Sequence, residues 1–266
     1  RSRCFAPLQN RSVTNEASAS KVKNELNSGK YSTVSTVVVN GGGTIDGQFV
    51  QNILYTEYSA HANIKTLDLH DINFSGAKIE RGSFVPTEKE YRAGQSELNK
   101  LILPSNVTNI GKQAFYGFTK LETVVFPDNL DKIDDAAFRN VPVKNLKFNE
   151  TLRFIGTSAF DMDREHTETT ITIPASVRYI GPSAFRFRQY QDVYFQGTKA
   201  PIMPLGVSSY NNMDKQTAFS GHTLMGNNGF NSGTGDLRDD AHDGGYANRE
   251  NYKNNGCYFC IMHYPS

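Results

Sequence analysis

One 18-residue pattern recurs along the middle of the chain and constrains the fold more than any other feature. It reads "LNKLILPSNVTNIGKQAF" at Leu98–Phe115 and returns at Leu121–Phe138, Val143–Phe160 and Glu168–Phe185. The closing phenylalanines are spaced by 23, 22 and 25 residues. A period in this range is typical of a repeat fold, in which each unit stacks on the next.

Each copy begins with an apolar-x-x-apolar-x-apolar segment, which predicts a short strand whose alternate residues face one side. With weaker copies on both sides, the sequence predicts about seven repeats. Parallel strands are expected at Val37–Val39, Leu67–Leu69, Leu101–Leu103, Val124–Phe126, Leu146–Phe148, Ile171–Ile173 and Val193–Phe195. One strand per repeat is expected, with mostly turns and short 3-10 helix elsewhere, because the Ile-to-Phe corner is too short for a full helix.

The inward apolar residues of one repeat are too few to form a core, so the core must run through the stack. We expect the closing phenylalanines to be buried in one column, at Phe115, Phe138, Phe160 and Phe185. Polar residues three positions after each strand's last apolar residue should hydrogen-bond the backbone at the turn. They are Asn106, Asn129, Thr151, Ser176 and Thr198.

The pattern divides the chain into three regions. Residues 1–33 are predicted to be an N-terminal segment with a short capping helix at Asn15–Tyr31. Residues 34–199 are the repeat array, and residues 200–266 are an irregular C-terminal repeat or cap. Within the last region, Cys257–Pro265 is interpreted as the strand of another repeat, which indicates a terminal cap or a further domain beyond it.

Composition excludes several classes of function. The 266 residues carry a formal net charge of +1 with 21% charged residues, so no strong field for nucleic acid or an anionic membrane is expected. No segment approaches the length of a membrane span. The chain begins at Arg1 without a signal peptide, and we interpret it as a mature or trimmed chain. Three cysteines leave at least one that cannot pair within the chain.

The consensus "L-x-x-L-x-L-P-x-x-V-x-x-I-G-x-x-A-F" resembles the BspA-like leucine-rich repeat family of bacterial surface proteins. The resemblance covers Val34 to Phe195, and "GGGTIDGQFVQNIL" is similar to the usual entry to such arrays. It implies a leucine-rich-repeat solenoid, wound as a right-handed superhelix. It also implies a secreted or cell-surface protein, adhesin-like and without catalytic residues. The sequence departs from the family's pattern at Asn149, where proline is usual, and in the long polar connection from Phe84 to Leu98.

Two clusters in the C-terminal region raise the question of a metal. Four aspartates in one Gly-rich loop could ligate calcium, but their spacing is not that of an EF-hand, and the favoured interpretation is a solvated acidic loop. They are Asp236, Asp239, Asp240 and Asp243. Cys257, Cys260 and His263 have a spacing that zinc accepts, with Cys4 as a fourth ligand. However, strand positions three apart point to opposite faces, and buried free cysteine is common.

No enzyme class is favoured by the sequence. The histidines are scattered, and Gly41–Gly43 is interpreted as a turn because no helix follows it as in a phosphate-binding loop. Asp68 and His70 flank one strand and point to the same face, which is usual for surface residues. No cofactor is expected.

Two hypotheses of function follow. The chain is a surface module that binds a protein or a glycan, a host extracellular protein among the candidates, or it is a structural spacer that presents another domain. It is expected to be a monomer with no nucleic-acid partner. Strand alternation predicts the outward residues that would form a binding face. They are Val38, Asp68, Lys100, Ile102, Val125, Lys147, Thr172 and Tyr194.

Overall fold

The structure, a computed structural model, describes part of the chain, and every structural statement below concerns that part. The described residues are 10–14, 35–40, 42–54, 64–85, 96–163, 166–186, 188–198, 201–203, 206–207, 215–216 and 261–263.

Short strands dominate the described residues. In chain order they are β1 (Asn10–Thr14), β2 (Thr36–Asn40), β3 (Thr44–Ile45), β4 (Thr66–Asp68), β5 (Asn73–Phe74), β6 (Lys78–Ile79), β7 (Lys100–Ile102), β8 (Asn109–Ile110), β9 (Thr123–Val125), β10 (Lys132–Ile133), β11 (Phe154–Ile155), β12 (His166–Ile173), β13 (Tyr179–Ile180), β14 (Arg188–Phe195), β15 (Gly206–Val207), β16 (Lys215–Gln216) and β17 (Ile261–His263). One α-helix, α1, spans Gly47–Leu54, and a 3-10 helix spans Ser75–Ala77.

The predicted strands form two parallel sheets that follow one another along the chain. One of them, called the first sheet below, has the order β1-β2-β4-β7-β9. The other, called the third sheet, has the order β12-β14-β17. Six of the seven predicted strand positions are confirmed, with ends that differ from the predicted bounds. The prediction of a strand at Leu146–Phe148 is wrong, because that repeat carries no strand among the described residues.

A second sheet, which the sequence pattern did not predict, is built from the isoleucine positions. Its order is β13-β11-β10-β8-β6, and its two-residue strands pair in parallel. The five isoleucines lie in register and are fully buried, at Ile79, Ile110, Ile133, Ile155 and Ile180. The expectation of one strand per repeat is therefore wrong, since most described repeats contribute one strand to each of two sheets.

The phenylalanine column is confirmed. Phe115, Phe138, Phe160 and Phe185 are each 0% exposed. Their rings stack at centroid distances of 4.9, 5.2 and 5.4 Å along the column. Phe84 extends the column edge-on, with its centroid 4.8 Å from that of Phe115. The core is therefore continuous through the repeats, as the small inward set of each repeat requires.

The Ile-to-Phe corners bring successive repeats into close backbone contact. Successive amides in each corner donate alternately to a carbonyl of the same repeat and to a carbonyl of the next repeat. The Ala114 amide donates to the Gly111 carbonyl, and the Phe115 amide donates to the Ala137 carbonyl. A Cβ on Gly181 would lie 2.4 Å from the Thr157 nitrogen, which explains why glycine follows isoleucine there. The third residue after each isoleucine has a positive φ, at Gln113, Ala136, Ser158 and Ser183.

Helix α1 lies in the first described repeat and was not anticipated there. Asp46 begins it, since the Phe49 amide donates to the Asp46 Oδ1 over 2.9 Å. Its buried residues are Phe49, Val50, Ile53 and Leu54. Gly47 packs on the Ser83 backbone, where a Cβ would be 2.8 Å from the Ser83 Cα. The expectation that each repeat is mostly turn and short 3-10 helix allows for this helix, but the sequence interpretation that no helix follows Gly41–Gly43 is wrong.

Three of the five polar residues after the strands, Asn106, Thr151 and Ser176, hydrogen-bond the preceding repeat rather than their own turn. Asn106 donates to the Phe74 carbonyl over 2.9 Å and accepts from the Phe74 amide over 2.8 Å. Thr151 donates to the Asp128 carbonyl and Ser176 to the Leu152 carbonyl, each over 2.7 Å. Asn149, which stands at a proline position, donates to the Pro127 carbonyl over 2.7 Å. These side chains therefore tie one repeat to the next.

The interruption of the sheet lies in the repeat at residues 141–150. The Lys144 amide still bonds the Glu122 carbonyl over 2.8 Å, but Asn145 then has a φ of 52°. Asparagine tolerates this left-handed conformation, whereas the threonine at the matching position Thr123 is β-branched and favours a strand. The strand ladder ends at β9 for this reason.

Both ends of the chain contain findings that bear on the predicted caps. The predicted helix at Asn15–Tyr31 lies outside the described residues, while β1 pairs in parallel with β2. The predicted C-terminal strand is confirmed at Ile261–His263, which pairs in parallel with β14. Among the described residues, no helix has the length and apolar character that a membrane crossing needs.

Candidate binding face of the first sheet

Strand register places one row of outward residues across four neighbouring strands. Val38 lies opposite Asp68, Asp68 opposite Ile102, and Ile102 opposite Val125. A second row, two residues back along each strand, consists of Thr36, Thr66, Lys100 and Thr123. The first sheet therefore brings five of the predicted site residues together on one face.

Burial separates this face from the core as strand alternation requires. Val37, Leu67 and Leu101 point inward and are at most 1% exposed. Of the outward residues, Val125 is 44% exposed, while Ile102 is half-buried between its two neighbouring strands. Val125 is the more exposed of the two because β9 is the last strand of the sheet and no strand covers it on the far side.

The remaining predicted site residues do not lie on this sheet. Lys147 is exposed, but it belongs to the repeat without a strand. Thr172 and Tyr194 lie opposite each other on the third sheet, where Tyr194 is 41% exposed. The predicted face is therefore divided into two parts at residues 144–149, and the inward residues nearest this break, Val124 and Phe148, are only partly buried.

Asp68 is engaged by a histidine at the end of its strand. The His70 Nδ1 lies 2.9 Å from the Asp68 Oδ1, and the His70 Nε2 lies 2.9 Å from the Asp71 Oδ1. The hydrogen bond to Asp68 raises the pKa of His70 above its ordinary value. The Asp68 and Asp71 carboxylates thus lie on either side of one exposed imidazole and hold it in place.

The lysines of this face differ in their partners. Lys144 lies 3.0 Å from the Glu122 carboxylate, and Lys120 is paired with Glu97. Lys100 and Lys147 form no ion pair with any group in the described part of the chain. Lys100 is therefore a cation without a counter-ion two residues before Ile102, and Lys147 is another in the repeat that follows β9.

A buried carboxylate in the corner column is a feature that the sequence reading missed. Asp161 is 1% exposed and accepts two hydrogen bonds from Arg186, at 2.7 and 2.8 Å, while the Arg139 Nε lies 3.4 Å away. Burial raises the pKa of Asp161, and the two guanidinium groups oppose that shift. The signal was present in the sequence, because the residues after Phe138, Phe160 and Phe185 are Arg, Asp and Arg.

Arg188 is a second buried charged residue that the sequence reading missed. It is 2% exposed and donates to the carbonyls of Val141, Val143 and Phe160 over 2.6, 2.6 and 2.8 Å. It thereby fixes the chain that enters the interrupted repeat. The bonding pattern of Arg188 and of Asp161 is structural, since both are enclosed by backbone or by arginine.

Most of the candidate metal ligands lie outside the described residues. Asp236, Asp239, Asp240 and Asp243 lie outside the described residues, as do Cys257, Cys260 and Cys4. Within the described ranges, no three His, Cys, Asp or Glu side chains come together in a way that could hold a metal ion.

A protein-family model agrees with the repeat architecture. The model of the family described as "BspA type Leucine rich repeat region" matches residues 88–224 in six copies. A leucine-rich repeat protein from T. pallidum is 27% identical, with 48% of this chain and 55% of that chain covered and a TM-score of 0.38. One from Bacteroides ovatus is 22% identical, with 60% and 39% covered and a TM-score of 0.35. The chain thus spans about half or less of these two proteins, and no curated protein matches it significantly.

Proposed function

The chain belongs to the BspA-type leucine-rich repeat family, and from this premise we propose that it is a non-enzymatic, adhesin-like protein-binding module. It acts in the secreted state or on the bacterial cell surface, as a monomer. Its binding face is the outward side of the first sheet, centred on Ile102 and Val125. Its repeats form a right-handed solenoid closed by an N-terminal capping helix.

The register of the first sheet is the observation that carries this proposal. Four strands align Val38, Asp68, Ile102 and Val125 in one outward row. Proteins of leucine-rich repeat families are in general interaction modules, and a row of outward residues on a rigid parallel sheet is a ready surface for a partner. An apolar pair with charged and hydroxyl neighbours has the composition of a small interface core with a polar rim.

The test is the double substitution Ile102→Glu with Val125→Glu. Two added charges on adjacent strands should weaken partner or cell binding at least tenfold, because they place carboxylates in the apolar centre of the interface. Circular dichroism and a denaturation curve must first establish that the variant folds. The matched control is Tyr116→Glu, which introduces one carboxylate at an exposed residue of a corner.

The outcomes separate the two functional hypotheses. Binding that is lost in the double variant and kept in the control supports the sheet face. Binding that is unchanged in both variants rules the face out. If the chain is instead a structural spacer, we expect the isolated chain to bind no partner, and any binding activity of the longer protein to lie in another domain.

A further inference from the structure

We infer that the partner offers an extended segment with two carboxylates that flank an apolar side chain. This inference rests on the proposed binding face and specifies the chemistry of its ligand. It is carried by the charges that surround Ile102 and Val125.

The outward face of the first sheet and of the interrupted repeat has an uneven charge distribution. Its cations, Lys100 and Lys147, have no ion-pair partner among the described residues. Of the carboxylates beside them, Glu122 is paired with Lys144 at 3.0 Å, and the Asp68 Oδ1 lies 2.9 Å from the His70 Nδ1. The chain as a whole is nearly neutral, at a formal net charge of +1, so this local excess of positive charge is not a consequence of composition. Complementary potentials across an interface favour an acidic partner here.

The apolar centre between these lysines suits one aliphatic or aromatic side chain. Val125 is 44% exposed, and Ile102 lies opposite it on the neighbouring strand. The interruption that follows β9 leaves Val125 uncovered, so a partner side chain can reach it from the side of residues 144–149. Burial of this pair removes apolar surface from water, which supplies affinity, while the lysines supply orientation.

The spacing of the lysines sets the spacing of the carboxylates. Lys100 and Lys147 are two repeats apart, and the Lys144-to-Glu122 bond holds the interrupted repeat beside β9. With neighbouring strands about 4.8 Å apart and a rise of about 3.3 Å per residue, their Cα atoms are separated by roughly 10–15 Å. An extended segment spans this distance in three or four residues. Alternate residues of an extended segment point to the same side, so the ligand is of the form acidic, three residues with an apolar one in the middle, acidic.

A display library of random octapeptides, selected on the 266-residue chain at low salt, tests the inference. We expect enriched peptides to carry two acidic residues four positions apart with an apolar residue midway between them. Fluorescence anisotropy with an enriched peptide should show roughly tenfold weaker binding to the Lys100→Gln, Lys147→Gln variant. Binding should also weaken as salt is raised. The control is Lys112→Gln, an exposed corner lysine away from this face.

The outcomes distinguish the inference from the proposed function. If the Ile102→Glu, Val125→Glu variant loses the peptides and the lysine variant keeps them, or if the enriched peptides are not acidic, the charge inference is wrong while the binding face stands. If neither variant affects the enriched peptides, they bind elsewhere and both proposals fail. If peptide binding is lost in the Ile102→Glu, Val125→Glu variant and in the lysine variant but kept in Lys112→Gln, the result supports both the binding face and the charge inference.

Discussion

Phe138 shows how a single residue stabilises the stack. Its ring lies between those of Phe115 and Phe160, at 4.9 and 5.2 Å, and is 0% exposed. Neighbouring repeats hold each other through these rings, so the surroundings of a lost ring cannot collapse without breaking the register of the sheets.

Phe138→Ala should lower the free energy of unfolding by about 3–5 kcal/mol, since it leaves a cavity between two fixed rings. Urea denaturation measures the change. Tyr116→Ala is the control, because Tyr116 is an exposed aromatic residue in the preceding corner. An unchanged midpoint for Phe138→Ala would contradict the column as the core of the stack.

His70 should titrate above its ordinary pKa, since its hydrogen bond to Asp68 stabilises the imidazolium. A raised pKa in the folded state stabilises the fold below the unfolded value of about 6.5. That contribution is lost as the pH rises through the folded pKa. An NMR titration of the imidazole measures the shift. Asp68→Asn should return the pKa toward its ordinary value, and Asp71→Asn should have the smaller effect; an equal pKa in all three proteins would contradict this assignment.

At the level of elements, the corner column contains an alternating ion triad. Arg139, Asp161 and Arg186 follow the stacked phenylalanines of three successive repeats, so opposite charges lie in adjacent repeats. A buried carboxylate is costly unless it is paired. The stacking register that places Asp161 between Arg139 and Arg186 is therefore more stable than a register shifted by one repeat.

Asp161→Ala should destabilise the protein by about 3 kcal/mol, since it leaves partly buried arginines without their carboxylate. Replacing Asp161 and Arg186 together by leucine should cost less than the sum of the two single leucine substitutions. A double-mutant cycle on urea unfolding measures the difference. Additive effects would show that the triad does not act as a unit.

At the level of the whole molecule, the sheets differ in continuity. The first and third sheets are separate, whereas the second sheet runs unbroken from β6 to β13 past the interrupted repeat. The repeat at residues 141–150 is therefore held by the second sheet, by the phenylalanine column and by Arg188, without a ladder on its strand side.

Hydrogen exchange should follow this asymmetry. The amides of Leu146, Lys147 and Phe148 should exchange faster than those of Leu101 and Ile155, because they lack a paired strand. Mass spectrometry or NMR of the native protein measures the rates. Arg188→Met should increase exchange at Val143–Phe148 more than at β7. Uniform protection across these repeats would contradict a local interruption.

The sequence alone predicted the repeat, the inward apolar residues and the phenylalanine column, because a fixed period reports which residues occupy the same position in every turn of the chain. It also predicted five residues that lie on one face of the first sheet, since strand alternation is a local property. The family resemblance predicted the fold class that the comparisons support.

Only the tertiary structure decided where the ladders form and where they stop. The isoleucine strands have two residues each, too short for any period to reveal, and they exist because neighbouring repeats approach closely enough to pair. The break at Asn145 depends on one backbone conformation, and the burial of Arg188 depends on carbonyls more than forty residues earlier. Local pattern determines which side chains face inward, whereas hydrogen-bond partners between repeats depend on contacts that a local pattern does not contain.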